Sequence, residues 1–260
     1  MEDLIRAVTK LLSSTNPEEV SIGLDKVRAR MPRASDDEKR RYVEMVSALF
    51  YIDTLDHPEY LSVVEDAVSL VASAGRSAIP ILIQQLEGGD VKSQMAIGQA
   101  LGHMGAEAVP ALLEEYHQTC PEPGCRAFVL YALGKVKSPK IVDALPTALE
   151  AAAADDQELR DSATRALGKF AESIPAGKLS PEVAGAIFER LSANLADGSP
   201  AVRSKAVRSL GKLARYGHLG TEQHQQLALI LKRVLGEDEH YEWDRAYVVR
   251  KEASEAMQYI

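Results

Sequence analysis

The sequence predicts an all-α chain wound as a right-handed α-α superhelix of about seven antiparallel helix pairs, roughly fourteen helices in all. Three observations carry that prediction. One helical segment recurs four times in register, with its arginine and its leucine on fixed faces. A second kind of helix precedes it, often opened by an apolar residue and a proline. Composition supplies the third: 46% of the residues are apolar and only 5% aromatic, the make-up of helices packed through small contacts.

The recurring helix runs Cys125–Lys135, Leu159–Lys169, Val202–Lys212 and, more loosely, Val249–Tyr259. Arg126, Arg160, Arg203 and Arg250 superpose, and seven positions later so do Leu133, Leu167, Leu210 and Met257, which puts each pair on one helical face. Residues 91–103 match at their end only, through Leu101-Gly102-His103, with Gln94 where the arginine belongs. The preceding helices start at Ile79-Pro80, Val109-Pro110 and Leu145-Pro146, where proline in a first turn removes no hydrogen bond. The Leu-Gly landmarks at 101, 133, 167 and 210 recur at the period of two-helix repeats, the last interval taking a longer loop from Ile174 to Pro181.

The flanks read as caps on a single solenoid domain spanning 1–260. Residues 1–75 hold four helices without the Leu-Gly mark, one beginning with the capping box Ser35-Asp36-Asp37-Glu38 and one at Pro58. Regular repeats occupy 76–215. Residues 216–260 form a terminal repeat: a helix over Thr221–Leu235, an acidic loop from Gly236 to Tyr241, and a closing helix over Trp243–Tyr259.

The pattern Ala-Val-Pro-Ala-Leu-Leu, a turn, then Val-Arg-x-x-Ala-x-x-x-Leu-Gly resembles the HEAT repeat family, in particular the short bacterial type of the phycobilisome lyases. The family is spread over unrelated scaffolds, so the motif implies a fold and leaves the activity open. A glycine inside a helix costs roughly 1 kcal/mol against alanine, so its return at Gly102, Gly134, Gly168 and Gly211 implies close approach of the next repeat. The resemblance also implies a structural role for the superposed arginines, with Asp197, Glu158 and Glu122 as acidic partners. Cys120 and Cys125 are too few for a disulfide framework and wrongly spaced for zinc or a Cys-x-x-Cys pair. Cys125 is then a small core hydrophobe in the slot of Leu159 and Val202, and a reducing compartment is expected.

In HEAT-like solenoids the repeated helix lines the concave side, which makes its variable slots the candidate binding residues: Phe128, Tyr131, Lys135, Arg165, Lys169, Lys205, Arg208 and Lys212. Between Gly198 and Gly220 stand five Lys or Arg and no acid, in a chain of net charge −8. The leading expectation is therefore a non-catalytic scaffold whose basic, partly aromatic groove holds an acidic or phosphorylated segment of another protein. Resemblance to the bilin lyases offers a second reading, a lyase-like or chaperone subunit acting on a chromophore-bearing protein. A DNA-binding helical-repeat module is a third, disfavoured by the acidic whole. No catalytic grouping, cofactor or metal is expected from the scattered histidines and carboxylates. Acids at Glu2 and Asp3 argue against a secretory leader, and charges interrupt every apolar run well before membrane-spanning length, so the sequence reads as cytoplasmic.

Overall fold

The chain is described by a computed structural model covering residues 2–88, 90–240 and 242–260; Met1, and Tyr241 of the acidic loop, lie outside the described residues. Fourteen α-helices and no strand occur among them. The chain forms two compact units, Met1–Thr119 and Cys120–Ile260.

The first unit contains α1 (Glu2–Leu12), α2 (Pro17–Arg30), α3 (Asp36–Ser47), α4 (Leu61–Ser73), α5 (Ile79–Gly88), α6 (Val91–His103) and α7 (Ala108–Gln118). Helices α2, α4 and α6 pack in one row and α1, α3, α5 and α7 in another, with buried Val, Leu and Ile side chains such as Leu24, Val43, Val71, Leu82 and Ile97 between them. Helix starts are set by side chains that accept orphan amides: Asn16 from Glu18, Asp90 from Ser93, and the reciprocal pair Ser35 and Glu38 of the capping box. Pro58 opens a short 3-10 turn that feeds α4, so the helix itself begins at Leu61.

The second unit contains α8 (Pro123–Leu133), α9 (Leu145–Ala151), α10 (Gln157–Ser173), α11 (Pro181–Ala193), α12 (Pro200–Arg215), α13 (Thr221–Leu235) and α14 (Tyr247–Ala256). The repeated helices α8, α10, α12 and α14 lie side by side, while α9, α11 and α13 each pack on the next member of that row. Side-by-side packing this tight depends on the glycines. A Cβ built on Gly168 of α10 would stand 2.8 Å from Ser209 Cα of α12, and one on Gly211 would stand 2.8 Å from Ala256 Cβ of α14. Only a missing side chain lets the backbones approach so closely. Ser209 uses the proximity, its Oγ donating to the Thr164 carbonyl at 2.9 Å. Buried Asn194 donates to Thr164 Oγ1 at 2.8 Å and to the Ala152 carbonyl at 3.0 Å, which leaves its amide nitrogen satisfied inside the core.

Two expectations need correction. The closing helix begins at Tyr247, later than Trp243, because Asp244 Oδ1 accepts the Ala246 amide at 2.8 Å and holds residues 243–246 in a turn. Gly236 ends α13 at φ 75°, the left-handed conformation glycine adopts freely, with the Trp243 ring against it. The second correction concerns the cysteines. Cys120 and Cys125 are joined by a disulfide, because the Pro-Glu-Pro-Gly turn brings their Cα atoms to 5.5 Å, within bridging range. Cys125 keeps its buried slot, but it is not a free thiol.

Candidate partner-binding face

The superposed arginines build the frame on which the face rests. Each reaches back to a main-chain carbonyl six residues upstream: Arg126 to Cys120, Arg160 to Ala154, Arg203 to Asp197 and Arg250 to Asp244, at 2.6 to 2.9 Å. Two also clasp the following repeat with a two-pronged carboxylate contact. Arg160 meets Asp197 at 2.6 and 3.3 Å, and Arg203 meets Asp244 at 2.6 and 2.9 Å. These hydrogen bonds hold both aspartates below the ordinary carboxylate range and both guanidiniums above theirs. The structural role expected of the arginines is thus present, but the partners differ. Asp197 precedes Arg203 in sequence yet gives its carboxylate to Arg160, while Glu158 and Glu122 are exposed.

The eight candidate residues all lie on α8, α10 and α12 or, for Lys135, just past the end of α8. Four of them are drawn into ion pairs, three across the row and one within α10, which changes the character of the face. Lys205 of α12 pairs with Asp161 of α10, and Arg208 with Glu252 of α14, the Nε to Oε2 distance being 2.7 Å. Lys212, Lys169 and Lys137 converge on Glu172 of α10, the last two at 3.1 and 3.2 Å. The basic stretch over Gly198–Gly220 is therefore largely neutralised by acids on the helices either side of it. Those acids stand in slots that periodicity marks only as variable, so part of the positive charge expected on this face is already paired within the fold.

Slot arithmetic explains which cations escape. Arg208 finds Glu252 because that glutamate fills, in the next repeat, the slot held here by Lys205; Arg165, one repeat earlier, therefore faces toward Lys205. Among the described residues Arg165 and Lys135 form no ion pair. They stack on the Tyr131 ring instead, at 5.2 and 5.1 Å from its centroid. Phe128 is half-buried one turn earlier on α8.

The Glu172 cluster carries a pH dependence. Partial burial raises the pKa of Glu172, but hydrogen bonds and charge from Lys212 and Lys169 outweigh it and hold the group at about 2, below its ordinary 4.5. Burial works on Lys212 too, pushing its ammonium down to about 8 against the pull of Glu172. For a carboxylate depressed on folding, the stabilisation is fully present above the unfolded value and drains as pH falls through the folded one, here from about 4.5 toward about 2, an effect of about 3 kcal/mol. Urea midpoints should accordingly drop as the pH is lowered through this window, and Glu172→Gln should flatten the drop. Asp197 and Asp244 act in the same direction, so some slope should survive. An acid limb that Glu172→Gln leaves unaltered would show the cluster to be energetically silent.

Fold and face together define an all-α helical-repeat protein. A family model described as HEAT repeats matches residues 79–168 of it. Among solved structures, the chain is similar to the complex of CpcE and CpcF of phycocyanin lyase from Nostoc sp. PCC7120, at 25% identity and TM-score 0.54, covering 70% of this chain and 98% of that one. An engineered protein is similar over 100% of this chain and 96% of its own at 20% identity and TM-score 0.51. Kap121p bound to Nup53p is similar over 100% of this chain and 29% of that one, at 14% identity and TM-score 0.62. No curated protein matches the sequence. No single helix among the described residues is long and apolar enough to cross a membrane.

Proposed function

We propose that this chain is a non-catalytic scaffold that holds an acidic or phosphorylated segment of another protein on the face formed by α8, α10, α12 and α14. One observation carries the reading: beside Lys169, Lys205, Arg208 and Lys212, which are paired with acids, Arg165 and Lys135 are left without a carboxylate and gathered around one tyrosine. Uncompensated positive charge beside an aromatic ring suits a carboxylate or phosphate presented on an extended segment. Phe128 adds an apolar contact one turn away, and Lys169, Lys205, Arg208 and Lys212 contribute as the shaped walls of the face. Nucleic acid and membrane are not the expected partners, given the net charge of −8.

The test is a double charge reversal, Lys135→Glu with Arg165→Glu, which disturbs no ion pair of the fold. Binding of the native partner recovered from lysate should be lost, and wild-type binding should weaken with added salt, while the urea midpoint stays within about 0.5 kcal/mol of wild type. Undiminished binding by the double variant would refute the reading. The likeness to the phycocyanin lyase complex favours one alternative, a lyase-like subunit that works together with a second chain. A visible chromophore attached to an acceptor protein on co-expression would mark that case.

A further inference from the structure

Between α8, α10 and α12 the uncompensated cations border a cleft of about 50 Å³, whose lining includes Tyr131, Lys135, Asp161, Arg165, Lys169 and Lys205. Two polar atoms in this neighbourhood are buried and have no hydrogen-bond partner in the protein, the Tyr131 hydroxyl and Asp161 Oδ1. Unsatisfied buried polar atoms are rare, and each costs roughly 1 to 3 kcal/mol, so two on side chains that line one cleft call for a shared explanation. Their chemistry differs. The phenol can donate; the carboxylate oxygen, whose twin is held by Lys205, can only accept.

We infer that this cleft seats the phosphoryl group of a phosphoserine or phosphothreonine residue of a partner protein, an assignment that rests on the scaffold reading above. Arg165 and Lys135 supply positive charge that the fold leaves unused, and Lys169 adds an ammonium already in contact with Glu172. With the Tyr131 hydroxyl these make four donors. A phosphoryl group offers three strong acceptor oxygens and close to two negative charges, where a carboxylate offers two oxygens and one. Asp161 Oδ1 completes the selection. It repels a bare anion and rewards one that brings a hydrogen, and the backbone N–H of a phosphorylated residue lies within reach of its own phosphoryl group. The cleft thus distinguishes a peptide-borne phosphate from both an acidic side chain and free phosphate.

The experiment is an amide-shift titration of the full chain at constant ionic strength with three probes: N-acetyl-O-phosphoserine N-methylamide, N-acetylglutamate N-methylamide and inorganic phosphate. The phosphoserine probe should shift amides around Tyr131 and Arg165 saturably and bind at least about fivefold more tightly than either of the others. Tyr131→Phe, which removes the hydroxyl and keeps the ring, should weaken it by about threefold or more. Equal binding of the glutamate probe, equal binding of inorganic phosphate, or an unchanged affinity in Tyr131→Phe would each overturn the inference. A phosphoserine probe that leaves the cleft unmoved, in a protein whose partner binding still depends on Lys135 and Arg165, would sink the phosphoryl seat and leave the scaffold reading standing.

Discussion

Gly168→Ala should destabilise the protein by about 2 kcal/mol or more, although alanine is the better helix former by roughly 1 kcal/mol. The added methyl would meet Ser209 Cα at 2.8 Å and Ser209 Cβ at 2.7 Å. Neither atom can rotate away, because both belong to the path of α12 itself. Relief requires α12 to move off α10, which strains the Ser209 to Thr164 hydrogen bond and the Lys205 and Lys212 ion pairs that cross the same interface. Gly134→Ala is the matched control. Its Cβ would find nothing nearer than 3.3 Å, so the change should stay within about 0.5 kcal/mol of wild type. Urea unfolding of the two variants side by side decides the matter, and a pair of equal midpoints would discard close approach as the reason for the glycines.

Arg203→Ala should cost about 3 kcal/mol, the loss falling on a side chain that is 17% exposed and a carboxylate partner that is 13% exposed. The substitution removes both prongs of the contact to Asp244 and the donations to the Asp197 and Gly198 carbonyls at 2.9 and 3.3 Å. Asp244 would be left largely buried without its cation, the costlier half of the change. Arg203→Lys keeps the charge but not the planar fork, so it should recover less than half of the loss. Thermal unfolding at pH 7 measures both. Should Arg203→Lys match wild type, charge alone would be at work and the fork geometry would be irrelevant.

The fold was legible because its signals repeat. Gly168 and Gly211 stand at the same distance from their arginines, and that register was enough to predict close approach before any neighbour was known. The arginines were legible as structural for the same reason. Their partners were not. Asp197 and Asp244 sit 37 and 41 residues beyond the arginines they clasp, whereas sequence proximity set Asp197 beside Arg203 and otherwise pointed to Glu158 and Glu122, which are exposed. The character of the binding face was half readable. Periodicity named the slots of Arg165, Lys205, Arg208 and Lys212, but neutralisation by Asp161, Glu172 and Glu252 depends on contacts between neighbouring helices, where a one-dimensional count of charge is blind. The disulfide was missed because a five-residue spacing carries no periodic signal and depends on how two prolines and a glycine fold the turn.

The arginine clasp makes the repeat an interchangeable part. Arg160 receives Asp197 and Arg203 receives Asp244, so the two aspartates are chemically equivalent ends of successive segments. Ser209 and Ala256 are equivalent in the same sense, each lying six residues after its arginine and each set against the glycine of the helix before. Cutting out residues 197–243 would bring Asp244 to the place of Asp197, Arg250 to that of Arg203, and Ala256 against Gly168. Both seams, ionic and steric, would close with residues already present. A chain joined in this way can lengthen or shorten by whole segments without inventing a new contact, which leaves the exposed slots free to diverge with whatever they bind.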